Sequence, residues 1–420
     1  MSDTLQFGGR RPRPPRWVWA IAGIAAAAAL AGVVVGRGGS HGVATSSPSK
    51  SRSPATAPVP GSTAPATGSA ARWPSAAGAC GSAAFLPQIR LAPHYARVNA
   101  TLLVGGTTLR QVSVGNAASR PLAGLPDRQG RLVTKLVAWP DADYAFVASR
   151  CSGYLRVYRI VAGVAHRLDT AAFDLLGGPH HAWVVSYPPH TVLTPLNGGR
   201  TVTLKTSTDP VADTAAGLVV VAYNRRAGRA DTVELVDPNT GALLRRLAEG
   251  FPLGAADRVV LVSLPDCGAP LTHRTCTLES TDLKTGRPRA TFELPVGRVP
   301  VSDAVFSRDG TVAAFQLARA RQDPRFTTGR PFPPADVVVL HLHTGSLDVV
   351  PGLELPPGAG AGLAFDATGS WLLATVSEGD RGELLAWRHG MPGPALVTSL
   401  PGPLMAAPPL LPPLSAWRNG

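Results

Sequence analysis

The chain has 420 residues, of which 45% are hydrophobic and 16% charged, with a formal net charge of +13. This length allows one large domain or two ordinary ones, and 45 glycines with 41 prolines favour short strands and turns over long helices. Eight basic residues and one acidic residue fall in 1–72, so half of the excess charge is N-terminal and the rest is spread without a run. Because no basic stripe with interleaved aromatic residues is present, the charge does not indicate nucleic-acid binding.

Residues 17–35 form an uncharged apolar stretch, WVWAIAGIAAAAALAGVVV. As a helix, nineteen residues rise about 28 Å, close to the ~30 Å hydrocarbon core of a bilayer. The arginines that precede the stretch favour a cytoplasmic position for residues 1–16 and an extracytoplasmic position for the chain after residue 35. Four arginines contribute: Arg10, Arg11, Arg13 and Arg16. The sequence therefore predicts a basic cytoplasmic tail and a single-pass signal anchor in the cell membrane.

A cleaved signal peptide is the alternative, because Ala29-Leu30-Ala31 matches an A-x-A cleavage site. The apolar run continues to Val35, which favours the anchor. Residues 36–79 are rich in Ser, Thr, Ala, Pro and Gly and predict a disordered linker. With either an anchor or a cleaved signal peptide, a domain spanning 80–415 lies outside the cytoplasm.

The chain has four cysteines: Cys80, Cys151, Cys267 and Cys276. In an exported domain an even count predicts two disulfides, and the sequence permits three pairings. We expect Cys267–Cys276, which closes the loop DCGAPLTHRTC, and Cys80–Cys151. A metal site using Cys267, His273 and Cys276 is the alternative, but the spacing matches no compact zinc pattern and a fourth ligand is missing.

From about residue 85 onward, short β-rich runs alternate with Gly, Pro and Asp turns, and no amphipathic helix stands out. One form is strand, tight acidic turn, strand, as in 136–149, 304–318 and 363–377. The other form is an outer strand that ends in a Thr-Gly or Ser-rich hairpin, as in 233–247, 278–294 and 337–352. The two forms alternate along the chain.

The spacing of the repeats is informative. The hairpin threonines Thr240, Thr285 and Thr344 are 45 and 59 residues apart, and the longer step contains a polar, Pro-rich stretch at 318–333. A period of roughly 40–50 residues with four strands per unit is typical of propeller blades. The sequence thus predicts an all-β propeller of seven blades, with six or eight as alternatives, and one or two β-sandwiches as the competing fold.

Two motifs carry a family resemblance. Phe306-Ser307-Arg308-Asp309-Gly310 resembles the F-S-x-D-G turn of TolB-type and YVTN-type propeller repeats, which belong to the wider WD-repeat-like group. Asp237-Pro238-Asn239-Thr240-Gly241 and Asp282-Leu283-Lys284-Thr285-Gly286 resemble the D-x-x-T-G hairpin of the same families. The resemblance implies a propeller over about 130–400 and leaves the function open, because propellers host enzymes, scaffolds and sensors alike.

Few residues point to chemistry. His341 and His343 are two apart on a predicted strand, so they would share a face and could hold a metal. His180 and His181 follow a Gly-Gly-Pro turn, which favours a loop role. Asp141 and Asp143 could act as acid and base or bind a cation, but they occupy a repeated turn position.

No nucleophile elbow, zinc-protease, phosphate-loop or dinucleotide motif is present, so we expect no catalytic residue and no cofactor. The sequence favours a binding or interaction module outside the cytoplasm, whose partner is an envelope protein, a cell-wall component or a small ligand. The alternative is a propeller-type hydrolase, lyase or oxidoreductase. Such an enzyme would gather His, Asp or Glu from several blades around one channel.

Overall fold

The structure is a computed structural model that describes residues 101–401 apart from a set of short stretches. Those stretches are 105–109, 122–130, 139–143, 151–154, 162–163, 172–173, 188–189, 225–229, 269–274, 320–333, 357–360, 367 and 379–380. The helices and strands of the described residues are almost all β-strands, and the one exception is a 3-10 turn at Pro265–Gly268. No helix among them is long and apolar enough to cross a membrane. The predicted anchor, 17–35, and linker, 36–79, lie outside the described residues.

The strands of the described residues form seven antiparallel sheets. The first three sheets contain β1 (Thr101–Val104), β2 (Arg110–Ser113) and β3 (Ala118–Pro121); β4 (Arg131–Ala138), β5 (Tyr144–Arg150), β6 (Leu155–Val161) and β7 (Val164–Ala171); and β8 (Asp174–Gly177), β9 (Ala182–Ser186), β10 (Val192–Pro195) and β11 (Val202–Thr203). The fourth and fifth contain β12 (Thr208–Thr214), β13 (Gly217–Ala222), β14 (Thr232–Val236) and β15 (Leu243–Glu249); and β16 (Phe251–Ala256), β17 (Val259–Ser263), β18 (Thr277–Asp282) and β19 (Pro288–Glu293).

The last two sheets contain β20 (Arg298–Pro300), β21 (Val305–Phe306), β22 (Val312–Arg319), β23 (Ala335–His341) and β24 (Leu347–Leu355); and β25 (Gly362–Phe365), β26 (Leu372–Glu378), β27 (Arg381–Trp387) and β28 (Ala395–Pro401). Five sheets have four strands each, and strands that follow one another in sequence pair within a sheet. In the sixth sheet β20 and β21 both pair with β22, so the first strand is divided in two. Each sheet is therefore a local meander built from one repeat of the sequence.

From the second sheet onward, the first strands of successive sheets contact one another. Contacts join β4 to β8, β8 to β12, β12 to β16, β16 to β21 and β21 to β25. Between neighbouring sheets lie apolar clusters that each draw on both sheets, which is how a propeller buries the two faces of every blade. We call these first strands the inner strands.

The two ends of the described chain also meet. Val104 and Val112 of the first sheet pack with Leu384 and Val397 of the last sheet in one buried cluster. The first sheet thus packs on the last, as it does when a row of sheets is arranged as a ring. The predicted all-β propeller is confirmed, because a β-sandwich has no such cyclic order of sheets.

Turn chemistry explains the two repeated strand forms. The segment 363–377 contains the first two strands of its sheet, and 304–318 contains the second part of a divided first strand together with the strand that follows it. The segments 233–247 and 278–294 contain the last two strands of their sheets. In the hairpin after β14, Asp237 Oδ1 accepts hydrogen bonds from the backbone N–H groups of Asn239 and Thr240, both at 2.8 Å. Gly241 follows at φ 71°, a conformation that favours glycine.

Candidate functional site

Four polar side chains gather at one end of the inner strands β8 and β12, and we call them the mouth cluster. Asp174 is the first residue of β8, and Asp209 is the second residue of β12. Tyr187 directly follows β9, and Tyr223 directly follows β13. Asp209 is buried, and the other three residues are partly buried. The third and fourth sheets each contribute one aspartate and one tyrosine.

The two halves of the mouth cluster occupy the same register. Asp174 pairs with Val185, and Asp209 pairs with Val221, so in both sheets the tyrosine lies two residues beyond the aspartate's partner. The sequence separations differ, because β12 carries a bulge between Pro210 and Ala212 that adds one residue. The cluster is thus an internal repeat of one Asp/Tyr arrangement on two adjacent sheets.

The electrostatics of the mouth cluster keep the phenols protonated. Burial raises the pKa of Tyr187 well above its usual range, and Asp174 and Asp209 raise it further. Burial also raises the pKa of Tyr223, with added effects from Asp209 and Asp231. Ionising a phenol next to carboxylates would place like charges together, so both hydroxyls remain donors at neutral pH.

Asp209 has a polar neighbour besides the phenols. Thr191 Oγ1 donates to Asp209 Oδ1 at 3.2 Å. The cluster therefore combines carboxylate acceptors with protonated hydroxyls in a partly covered place, where a ligand would meet both kinds of group.

The opposite end of β12 has a different role. The Asp213 side chain is fully buried and accepts hydrogen bonds from Trp183 Nε1 at 3.0 Å and from the backbone N–H groups of His180 at 3.2 Å and His181 at 3.1 Å. His180 Nδ1 lies 2.6 Å from its other oxygen. A Cβ on Gly178 would overlap the backbone and side chain of Asp213, so glycine allows this close approach. His180 and His181 here hold the β8–β9 loop against the neighbouring sheet.

The two candidate metal-binding histidines separate in the structure. His341 is the last residue of β23, whereas His343 lies in the following turn and is exposed. The alternation of a strand therefore ends between them. His341 Nε2 is 3.0 Å from Asp348 Oδ2, and His389 Nδ1, from the next sheet, is 2.7 Å from the same oxygen. We call His341, Asp348 and His389 the rim cluster.

One predicted disulfide is present. Cys267 and Cys276 are bonded, nine residues apart, and Cys276 belongs to the core between the fifth and sixth sheets. Their sulfurs are therefore not available as thiolate ligands for the alternative metal site. Cys80 and Cys151, as well as Asp141 and Asp143, lie outside the described residues.

Sequence reasoning missed the mouth cluster and Asp213. A usable signal exists, since Asp174 precedes Tyr187 by 13 residues and Asp209 precedes Tyr223 by 14. The bulge makes these spacings unequal. The two Asp/Tyr pairs are recognised as equivalent only when the strand registers within the two sheets are compared. His389 was also missed, because its partners come from a different sheet.

The comparisons with known proteins find similarity of fold. No protein-family model and no curated protein matches the chain. Among solved structures, TolB from Acinetobacter baumannii matches at 12% identity and a TM-score of 0.39, over 72% of this chain and 63% of TolB. The all-β propeller predicted from the turn motifs is confirmed by the arrangement of the sheets, and TolB is one of the propeller proteins to which the chain is similar.

Two enzymes also match. Prolyl oligopeptidase B from Galerina marginata has 10% identity and a TM-score of 0.45, over 70% of this chain and 47% of that protein. An oligogalacturonate lyase in complex with manganese has 12% identity and a TM-score of 0.46, over 76% of this chain and 90% of the lyase. The chain thus spans less than two thirds of TolB and about half of the peptidase. All three TM-scores are below 0.5, so these likenesses carry no information on activity.

Proposed function

We propose that this protein is a membrane-anchored binding module whose propeller lies outside the cytoplasm and recognises a cell-envelope partner through the mouth cluster. The observation that carries the proposal is the duplicated Asp/Tyr arrangement on β8–β9 and β12–β13. Two aspartates at equivalent positions on neighbouring inner strands place two carboxylates at the same end of the strands. A pair of carboxylates beside protonated phenols suits a ligand that offers amines or hydroxyls.

Cell-wall components fit this chemistry best. Their sugars carry many hydroxyls, which can donate to Asp174 or Asp209 and accept from Tyr187 or Tyr223. A basic segment of an envelope protein or a small amine would use the same carboxylates. The cluster has its two carboxylates and two phenols on neighbouring sheets, so a ligand would bridge the third and fourth sheets.

The address outside the cytoplasm rests on the sequence. The apolar stretch 17–35 is long enough to span a bilayer, and the arginines before it favour a cytoplasmic N-terminus. The Cys267–Cys276 disulfide supports this address, because disulfides persist mainly in oxidising compartments. The linker 36–79 would let the propeller reach the wall.

We further propose that each of the seven sheets is one blade. Support comes from the sheet order, with five four-stranded sheets, one sheet whose inner strand is divided, and a three-stranded first sheet packed on the last.

An enzyme remains the second candidate because carboxylates from two inner strands converge. Asp174 and Asp209 would then be acid and base, as paired carboxylates are in glycosidases. The two proposals differ in outcome, because an enzyme would release soluble fragments from its substrate and a binding module would remain attached to it.

The binding proposal is tested by sedimentation of the purified full chain, in detergent, with isolated cell walls. We expect the unmodified protein and the control Asp257→Asn, an exposed turn position, to sediment alike. Asp174→Asn and Tyr223→Phe should each weaken sedimentation by roughly tenfold, since each removes one charge or one donor. The cell-wall partner would be refuted if all four proteins sedimented equally with the cell walls, or if none of them sedimented. Soluble sugar in the supernatant would favour the enzyme.

The address is tested separately with alkaline phosphatase fused after residue 420. We expect phosphatase activity, which requires export, in the membrane fraction. Activity released into the medium would indicate the cleaved signal peptide, and an inactive fusion would contradict export.

A further inference from the structure

The rim cluster joins two sheets at the outer edge of the ring. His341 Nε2, Asp348 and His389 Nδ1 offer three ligand atoms that all lie within 4.8 Å of one another. The two imidazole rings are 6.0 Å apart, nearly perpendicular, with the carboxylate between them. His341 and Asp348 come from β23 and β24, and His389 comes from the turn between β27 and β28.

Comparison with the equivalent hairpins shows what is special here. In the β18–β19 hairpin, Asp282 accepts hydrogen bonds from Thr285 and pairs with Arg289, seven residues on. In the β23–β24 hairpin, His341 stands at the position of Asp282 and Asp348 at that of Arg289. The His341 carbonyl still closes the turn by accepting from Gly345 N at 2.8 Å. The imidazole therefore has no part in the turn and is aimed at the carboxylate.

The third member distinguishes the cluster from an ordinary cross-strand pair. Val337, Val339 and His341 alternate along β23 and share one face, and both valines pack against the last sheet. His341 thus lies where the interface between the sixth and last sheets reaches the surface. The turn that carries His389 is held by a hydrogen bond from Met391 N to Arg388 O at 3.1 Å.

We propose that the rim cluster is a zinc site that links the sixth and last sheets, with His341 Nε2, Asp348 and His389 Nδ1 as ligands and water in the fourth position. Two imidazoles and a carboxylate are donors that Zn²⁺ accepts in proteins. Bonds of about 2.0–2.2 Å in a tetrahedron separate ligand atoms by roughly 3.4 Å. The observed N–O separations of 2.7 and 3.0 Å are within side-chain adjustment of that value.

The site is also accessible. The His389 side chain is 74% exposed, whereas those of His341 and Asp348 are 31% and 22% exposed. Zn²⁺ can therefore enter from solvent past His389 and find the other two ligands already positioned. Cu²⁺ and Ni²⁺ would bind the same donors by the general order of metal affinities.

The experiment measures Zn²⁺ binding to the full chain, purified in detergent without a histidine tag and stripped with chelator. The variants are His389→Ala, Asp348→Asn and, as matched control, His343→Ala, which removes an exposed histidine only two residues from His341. We expect one Zn²⁺ per chain for the unmodified protein and the control. The two cluster variants should bind about 100-fold more weakly or worse, since even loss of an outer-shell partner costs roughly 10–100-fold.

A second measurement reports the geometry of the ligands. Co²⁺ in place of Zn²⁺ should give the intense visible absorption of a tetrahedral site in the unmodified protein and in His343→Ala, and a weak spectrum in both cluster variants. Circular dichroism of each variant establishes that it is folded. The proposal is wrong if the unmodified chain binds no Zn²⁺, or if folded His389→Ala and Asp348→Asn bind it as tightly as His343→Ala.

Discussion

Asp213 shows how a single buried carboxylate can hold two sheets together. Its side chain is fully buried. Burial of a carboxylate without hydrogen-bond donors would cost several kcal/mol, which is a large part of the free energy of unfolding of a typical domain. Trp183 Nε1, the backbone of the β8–β9 loop and the His180 ring surround it with donors. The cost of burial is thereby offset, and the loop is fixed to the neighbouring sheet.

The substitution Asp213→Ala should lower the free energy of unfolding by about 3 kcal/mol, because the buried Trp183 Nε1–H and two backbone N–H groups lose their acceptor. Urea unfolding followed by tryptophan fluorescence measures the change. Asp257→Ala, at an exposed turn position, is the control and should stay within about 0.5 kcal/mol. A similarly small effect for both variants would mean that Asp213 does not stabilise the contact between the β8–β9 loop and the neighbouring sheet.

Asp282 gives a pH-dependent prediction. Hydrogen bonds from Arg289 and from Thr285 lower its pKa to about 2. A lowered folded-state pKa stabilises the fold above the unfolded value of about 3.9, and this contribution is lost as the pH falls towards about 2. The melting-temperature difference between the unmodified protein and Asp282→Asn should therefore be constant above pH 5 and shrink between pH 4 and pH 2. A difference that does not change down to pH 2 would contradict this assignment.

At the scale of elements, the hairpins were the most predictable part of the molecule. Asp237 and Asp282 cap their turns locally, and Gly241 and Gly286 supply φ values near 70°, so a short run of sequence contains all the determinants. The clusters were not predictable in the same way. Asp174 and Asp209 come together only through the packing of two sheets, and the bulge in β12 hides their equivalence.

The Cys267–Cys276 disulfide closes a short loop after β17, and its contribution can be isolated. The substitution Cys267→Ala removes the cross-link while the Cys276 sulfur stays in the core. We expect a loss of about 2–3 kcal/mol, because a loop of this length gains that much freedom in the unfolded chain. Urea unfolding without reductant measures it. The double variant Cys267→Ala/Cys276→Ala should be somewhat less stable than Cys267→Ala, because it also removes the Cys276 sulfur from the core. If Cys267→Ala is as stable as the unmodified protein, the predicted contribution of the disulfide is wrong.

At the scale of the whole molecule, the period of the repeats predicted a propeller, but not how its ends meet. The first sheet has three described strands, and its repeat is only weakly marked in the sequence. Its valines pack on residues nearly three hundred positions away, and no local pattern reports such a contact. The fold class therefore followed from the sequence, whereas ring closure required the structure.

Ring closure makes a strong prediction about cooperativity. Val112 is fully buried between the first and last sheets, so Val112→Asp places a charge in an apolar cluster and should cost at least about 3 kcal/mol. Val164→Asp, at a valine that is 37% exposed, is the matched control and should cost less than about 1 kcal/mol.

Urea unfolding of Val112→Asp, followed by circular dichroism and by tryptophan fluorescence, distinguishes a ring of sheets from an open row of sheets. In a ring, every sheet has two neighbours, so unfolding of the first sheet also exposes a face of the last sheet. Val112→Asp should therefore lower the urea midpoint of the whole domain. The decrease should be the same by far-ultraviolet circular dichroism and by the fluorescence of buried tryptophans such as Trp183. In an open row, only the first sheet would unfold early, because sheets that contact only their sequence neighbours separate one at a time. A tryptophan midpoint that does not change in Val112→Asp would therefore contradict the closed ring, whereas a joint shift requires the first and last sheets to support each other.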